Sequence, residues 1–207
     1  MRLDDPFSSI TPTLDGRILS VLGSADVRHS APGLAALTSG SPNGVRQALE
    51  RLVGSGLVNV LKVGNTSGYA LNRKHLLAGP VLEIVRSRER LVATISERIS
   101  GFAVKPLYAA MFGSAASGEM RAESDVDLLF VTSDGEGYDG GILEEDIGFL
   151  AVEVSEWTGN DCRPLIFEES QVSAAEPVFS DAAEAGILLW GQPRWLARRL
   201  SRSVGAA

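Results

Sequence analysis

Two aspartates that stand two positions apart, Asp125 and Asp127, are the residues of this 207-residue chain best suited to chemistry. They open an apolar run over residues 126–131, which predicts a buried strand. Residues two apart on a strand point to the same face, so the two carboxylates converge. Because like charges repel, folding alone gives no reason to pair them. Mg²⁺, which proteins commonly hold with one or two carboxylates and substrate phosphates, would relieve that repulsion.

A candidate phosphate-binding turn precedes the aspartates. An apolar run over residues 107–112 predicts another buried strand, and Gly113-Ser114 follows it as a tight turn into a short helical segment. Backbone N–H groups at such a turn can donate hydrogen bonds to a phosphate. The sequence therefore places a candidate phosphate-binding turn and a candidate metal site close together, with ten residues between them.

The pattern of Gly113-Ser114, ten residues, and Asp125-Val126-Asp127 resembles the signature of the polymerase-β-type nucleotidyltransferase superfamily, and most of all its small minimal members. The resemblance implies that Asp125 and Asp127 are the catalytic metal ligands and that Gly113 and Ser114 bind the nucleotide. It implies Mg²⁺ as cofactor and a nucleoside triphosphate, ATP in the first instance, as substrate. A nucleoside monophosphate would pass to an acceptor hydroxyl, with release of pyrophosphate. The competing interpretation is a surface turn followed by an acidic strand start.

Two departures from the family pattern bear on activity. Many minimal members have an arginine where Ser117 stands, and active members commonly carry a third carboxylate on the following strand. That predicted strand, residues 162–167, instead offers Arg163, Leu165 and Phe167 on one face and Cys162, Pro164 and Ile166 on the other. Asp161 and Glu168 lie only at its ends, and Glu153 falls on a predicted helix. A site with two carboxylates could bind metal and nucleotide yet transfer slowly, or not at all.

The N-terminal half has the pattern of three helices and a β-hairpin. Apolar residues recur at helical spacing over residues 13–24, 31–38 and 42–53. Leu34 and Leu37 are expected to face inward, and Ser41-Pro42 supplies an N-cap with proline at the first helical position. Residues 57–63 and 69–71 predict a hairpin around residues 64–68.

This arrangement, over about residues 13–74, resembles a winged helix-turn-helix domain. The resemblance gives the third helix the role of recognising DNA and the hairpin the role of a wing. Asn43, Arg46, Gln47 and Glu50 would then face base edges, while Lys62, Arg73 and Lys74 would meet phosphates. The alternative is an ordinary helical packing module used for dimerisation.

The predicted fold class is α+β. A winged helix-turn-helix domain (residues 1–74) precedes a connecting helix (75–105) and a nucleotidyltransferase-like mixed sheet with flanking helices (106–207). The connecting helix is continuous or divided near Gly79-Pro80. In the second domain, residues 133–141 predict a loop, Pro164 predicts an edge strand, and the basic stretch 194–202 predicts a loose amphipathic end.

Charge is unevenly distributed between the two halves. Residues 1–105 carry 13 Lys and Arg against 8 Asp and Glu, whereas residues 106–207 carry 6 against 18. The first half could approach a polyanion, and the second would repel one unless metal ions intervene. No apolar run approaches the length of a membrane span. The single Cys162 excludes an internal disulfide and fits a reducing cytoplasm, where we expect the protein to act.

Three functions fit these observations. The first is a nucleotidyltransferase fused to a DNA-binding domain, with a self-regulating or toxin–antitoxin-like role and a protein, tRNA or small-molecule acceptor. The second is a transcription regulator whose transferase-like domain only senses nucleotide. The third is an antibiotic-modifying transferase, for which a basic N-terminal half has no obvious use. By analogy with winged helices in general, the chain is expected to form a homodimer.

Overall fold

A computed structural model describes residues 1–64, 66–121, 123–135 and 141–204. Contacts between Cα atoms divide the chain into two compact units. The first comprises Arg2 and Asp4–Arg88, and the second comprises Met1, Leu3 and Glu89–Ala207. Across the described ranges, no helix is both long enough and apolar enough to cross a membrane.

Among its described residues, the first unit contains four helices and a small antiparallel sheet with strand order β1-β3-β2. After a 3₁₀ turn at Pro6–Ser9, the elements are α1 (Leu14–Ser24), β1 (His29–Ser30), α2 (Ala31–Thr38), α3 (Pro42–Gly54), β2 (Val58–Val63), β3 (Thr66–Leu71) and α4 (Ala78–Val85). The three predicted helices and the hairpin are therefore present. The second hairpin strand begins at Thr66 rather than at Tyr69, because ladder pairing continues to Val63 opposite Thr66.

Side-chain caps fix the starts of two of these helices. Ser41 accepts a hydrogen bond from Gly44 N–H at 3.1 Å with Pro42 next to it, which confirms the predicted N-cap, and Ser30 caps α2 in the same way. The inward orientation predicted for Leu37 is wrong, since that side chain is 60% exposed. The buried stripe of α2 runs through Leu34 and Thr38, four residues apart, and leaves Leu37 at its flank.

The connecting segment forms two helices, α4 and α5 (Ser87–Ser100). They are divided at Arg86, so the predicted break near Gly79-Pro80 is wrong. Pro80 lies in the first turn of α4, where its missing N–H costs no helical hydrogen bond. α4 contributes Ala78 and Val81 to the core of the first unit, whereas α5 buries Leu91, Ile95 and Ile99 in the core of the second.

The second unit is built on a mixed four-stranded sheet with strand order β6-β5-β4-β7, which confirms the α+β class. Its elements after α5 are β4 (Tyr108–Phe112), α6 (Gly113–Ser117), β5 (Val126–Thr132), α7 (Ile142–Thr158), β6 (Cys162–Glu168), α8 (Pro177–Ala185), β7 (Ile187–Gly191) and α9 (Trp195–Val204). β5 and β6 are parallel, and the other pairs are antiparallel. β6 lies at the edge, as Pro164 predicts. Residues 136–140 of the predicted loop fall outside the described residues.

The two faces of this sheet have separate cores. Met111, Leu128 and Phe130 pack with the buried sides of α5 and α7. Leu129 and Val131, on the opposite face, pack with Phe179 of α8 and Leu196 of α9. Since alternate residues of a strand share a face, Asp127 belongs to this second face, at the end where β5 begins.

The basic C-terminal stretch is ordered on the sheet, so the predicted loose end is wrong. α9 buries Leu196, which is 1% exposed, and the Trp195 ring stacks on Tyr108 with ring centroids 5.7 Å apart. The arginines of α9 made the stretch look like an exposed segment, but Trp195 and Leu196 pack against the sheet.

Candidate functional site

The turn after β4 brings Gly113 against Asp127. Phe112, the last residue of β4, is paired with Asp127 of β5, so the next residue along the chain passes directly over that side chain. Gly113 has a φ of +65°, and a Cβ placed on it would lie 2.9 Å from Asp127 Oδ2. Only glycine combines this backbone conformation with so close an approach. The structure therefore joins two residues that stand 14 positions apart in the sequence.

Asp125 and Asp127 act on each other, as their spacing predicts. Burial raises the pKa of Asp127, the charge of Asp125 raises it further, and the charge of Arg163 partly opposes both effects. Both aspartates are half-buried. The pair therefore concentrates negative charge in a place where water screens it poorly, which is the condition under which a cation binds well.

Arg163 is a member of this site that the sequence did not assign to it. It lies opposite Asp127 in the parallel pairing of β5 and β6, and its Nη1 is 2.9 Å from Oδ2 of Asp125. Strand alternation placed Arg163 on one face of β6, but the register between β5 and β6 depends on the whole α7 crossover. The local sequence carries no signal for that register.

None of the three residues considered for a third carboxylate joins the pair. Glu153 accepts a hydrogen bond from Arg98 Nε at 2.7 Å, and Glu168 accepts one from Gly135 N–H at 3.2 Å. Asp161 is exposed and contributes its backbone carbonyl to Val126 N–H at 2.8 Å. Across the part of the chain that the structure describes, no three His, Cys, Asp or Glu side chains converge as metal ligands.

A buried amide holds the start of β5. The Asn160 side chain is almost fully buried, and its Nδ2 donates to the carbonyl of Ser124 at 2.8 Å, immediately before Asp125. The Ser124 hydroxyl accepts a hydrogen bond from Arg121 N–H, also at 2.8 Å. The sequence did not single out Asn160 for the site. Burial of its amide is what assigns it to positioning Asp125.

Ser114 lies in the first turn of α6, beside Gly113. It is half-buried, and its hydroxyl has no hydrogen-bond partner among the described residues. Its carbonyl accepts from Gly118 and Glu119 N–H, both at 3.2 Å, which closes the turn. Among the described residues nothing binds this hydroxyl, which lies one residue after the contact between Gly113 and Asp127.

The residues predicted to contact DNA lie on three elements of the first unit. Asn43, Arg46, Gln47 and Glu50 are exposed along one face of α3, opposite its buried residues. Arg46 donates to Asn43 Oδ1 at 2.9 Å and to Glu50 Oε1 at 3.0 Å, so its guanidinium is held in place and partly neutralised. Lys62 of β2 is exposed, and so are Arg73 and Lys74, which follow β3. Arg73 forms an ion pair with Asp26 at 3.2 Å.

The second unit has an α+β architecture that carries the candidate site. Residues 92–181 match the family model described as "Nucleotidyltransferase domain", a stretch that contains the whole Gly113–Arg163 site. The model covers 90 of the 207 residues, and this part of the chain is similar to a nucleotidyltransferase domain.

Three solved structures resemble the chain at low identity. One is a toxin–antitoxin with AMP-PNP, 15% identical with a TM-score of 0.41, over 56% of this chain and 85% of that one. Another is a mutant of the toxin–antitoxin MntA-HpeT, 13% identical with a TM-score of 0.41 over the same shares. The third is described as a nucleotidyltransferase from Sulfolobus solfataricus, 20% identical with a TM-score of 0.32, over 52% and 86%. No curated protein matches the chain.

Proposed function

We propose that residues 106–207 bind a nucleoside triphosphate together with Mg²⁺ and transfer its nucleoside monophosphate to an acceptor hydroxyl. The observation that carries this proposal is the contact geometry of Gly113 and Asp127, because it sets the Gly113-Ser114 turn directly against one carboxylate of the aspartate pair. In this proposal Asp125 and Asp127 hold Mg²⁺, while Gly113 and Ser114 bind the phosphates. ATP is the first nucleotide to test.

The donor set suits Mg²⁺, which prefers carboxylate oxygens and completes its shell with phosphate and water. Bound there, Mg²⁺ would neutralise charge on the triphosphate and ease departure of pyrophosphate. The acceptor oxygen forms a bond to the α-phosphorus, and the bond from that phosphorus to the bridging oxygen breaks. The electron pair leaves with pyrophosphate, and the hydroxyl proton passes to water. The chain's own contribution is to orient the triphosphate and offset its charge.

Transfer is tested with nucleotides labelled on the α-phosphate, Mg²⁺ and a cell lysate that offers protein, tRNA and small-molecule acceptors. We expect labelled product from the wild type and none from Asp125→Asn or Asp127→Asn. Asp181→Asn, at an exposed aspartate of α8, makes the same chemical change away from the site and should keep full activity. Equal labelling by the wild type and both site variants would refute the assignment.

We also propose that residues 13–74 bind DNA as a winged helix-turn-helix, with α3 in the major groove and the β2–β3 hairpin as wing. Support comes from the exposed polar face of α3 and from the surplus of basic over acidic residues in this segment, 7 against 3. Fusion to the transferase fits a self-regulating or toxin–antitoxin-like role. Selection of bound sequences from a random DNA pool, in buffers of low and moderate salt, tests it. Failure to enrich any sequence would refute specific binding.

A second candidate function is a DNA-binding regulator that senses nucleotide without transferring it. It is favoured by one observation, namely that Arg163 stands beside the carboxylates where a third carboxylate was expected. Here nucleotide should alter the affinity for the selected DNA while no pyrophosphate is released. Pyrophosphate release that disappears in Asp125→Asn would decide against this candidate.

A further inference from the structure

Arg163 flanks both carboxylates of the site. It is the β6 residue paired with Asp127, and neighbouring residues of paired strands project from the same face of the sheet. Its guanidinium also reaches Asp125, with 2.9 Å between Nη1 and Oδ2. The β6 position next to the carboxylate pair is thus filled by a guanidinium, a cationic group.

A guanidinium and a divalent cation compete for the same carboxylate lone pairs. The fixed positive charge of Arg163 also repels any cation that approaches from the β6 side. The side chain is 64% exposed, and its one ion pair within the described residues is with Asp125. Because most of its surface is free, the guanidinium can turn from the carboxylate to a phosphate oxygen, which it binds in the same fork geometry.

We propose that Arg163 takes the place of a second divalent cation, so that Asp125 and Asp127 share a single metal ion that arrives with the nucleotide phosphates. This inference rests on the proposed nucleotide-binding function. Before nucleotide binds, Arg163 occupies Asp125 and keeps the affinity for free divalent cations low. Once nucleotide is bound, its guanidinium contacts a phosphate oxygen. Metal and nucleotide therefore bind together and are released together.

The test is a titration of the full-length protein with Mn²⁺ alone, followed by the electron paramagnetic resonance signal of free Mn²⁺. Arg163→Gln removes the cation, and Arg163→Asp replaces it with a carboxylate. Arg90→Asp, at an exposed arginine of α5, changes the net charge as much as Arg163→Asp does and is the matched control. We expect Arg163→Gln to bind Mn²⁺ more tightly than the wild type, and Arg163→Asp at least about tenfold more tightly. Arg90→Asp should match the wild type.

The inference is overturned if the wild type binds Mn²⁺ as tightly as both Arg163 variants do, with circular dichroism showing that each variant is folded. Should Arg163→Asp not fold, Arg163→Gln decides the matter by itself. A second measurement counts Mn²⁺ bound with a saturating non-hydrolysable ATP analogue. One ion per chain is expected for the wild type, and two would contradict the proposal. A chain that binds no nucleotide would refute the proposed function, whereas the titration with Mn²⁺ alone still reports on Arg163.

Discussion

Replacing Gly113 by alanine should damage the site more than it damages the fold. Gly113 has a φ of +65°, and an L-residue in that left-handed conformation loses roughly 1–2 kcal/mol. The new methyl group would stand 2.9 Å from Asp127 Oδ2, whereas ordinary contacts begin at 3.4 Å, so the oxygen must move by about 0.5 Å. A carboxylate end moves cheaply, and little further stability is lost. A displacement of that size in a metal ligand, however, should weaken binding of a Mg²⁺–nucleotide complex about tenfold.

Gly159→Ala is the matched control for this prediction. Gly159 ends α7 with a φ of +69°, and no atom lies within 4 Å of its added Cβ. It therefore carries the same backbone cost without displacing a site residue. Thermal unfolding should show both variants destabilised to a similar degree, and calorimetric titration with Mg²⁺ and a non-hydrolysable ATP analogue should show weaker binding for Gly113→Ala alone. Equal nucleotide affinity in the two variants would refute the reasoning.

Burial raises the pKa of Cys162 to about 12, so a thiol reagent at about pH 8 should label it roughly a thousandfold more slowly than an ordinary cysteine, and at the ordinary rate after unfolding in denaturant. Because burial raises the pKa of Asp127, its ionised form destabilises the folded state. Asp127→Asn should therefore raise the melting temperature at neutral pH. Melting curves at lower pH should show that this gain vanishes below the ordinary pKa of aspartate. Glu50→Gln removes the ion pair with Arg46 and takes a negative charge from the exposed face of α3. Fluorescence anisotropy at low salt should therefore show DNA affinity increased by about threefold to tenfold, while unchanged affinity would argue against α3 as the DNA-binding face.

Much of the candidate site could be predicted from sequence because the Gly113 turn and the aspartate pair lie close together along the chain. Gly113, Asp125 and Asp127 lie at the ends of two consecutive apolar strands, and alternation along a strand fixes which side chains share a face. Pro164 likewise marked β6 as an edge strand through its missing N–H. Errors arose where packing outweighed composition. The arginines of α9 concealed the buried Leu196, and the break between α4 and α5 falls at Arg86, where neither glycine nor proline marks it.

The position of Arg163 could not be predicted because it depends on the crossover connection between β5 and β6. β5 and β6 are joined through α7, and the parallel register that sets Arg163 opposite Asp127 is fixed by how that helix packs on the sheet. A shift of one residue would have brought Cys162 or Pro164 beside the carboxylates instead. The motif thus supplies the residues proposed to bind the phosphates and a metal ion, but the register decides the charge that faces them. That charge, carried by Arg163, underlies both the proposed single metal ion and the alternative function as a nucleotide sensor.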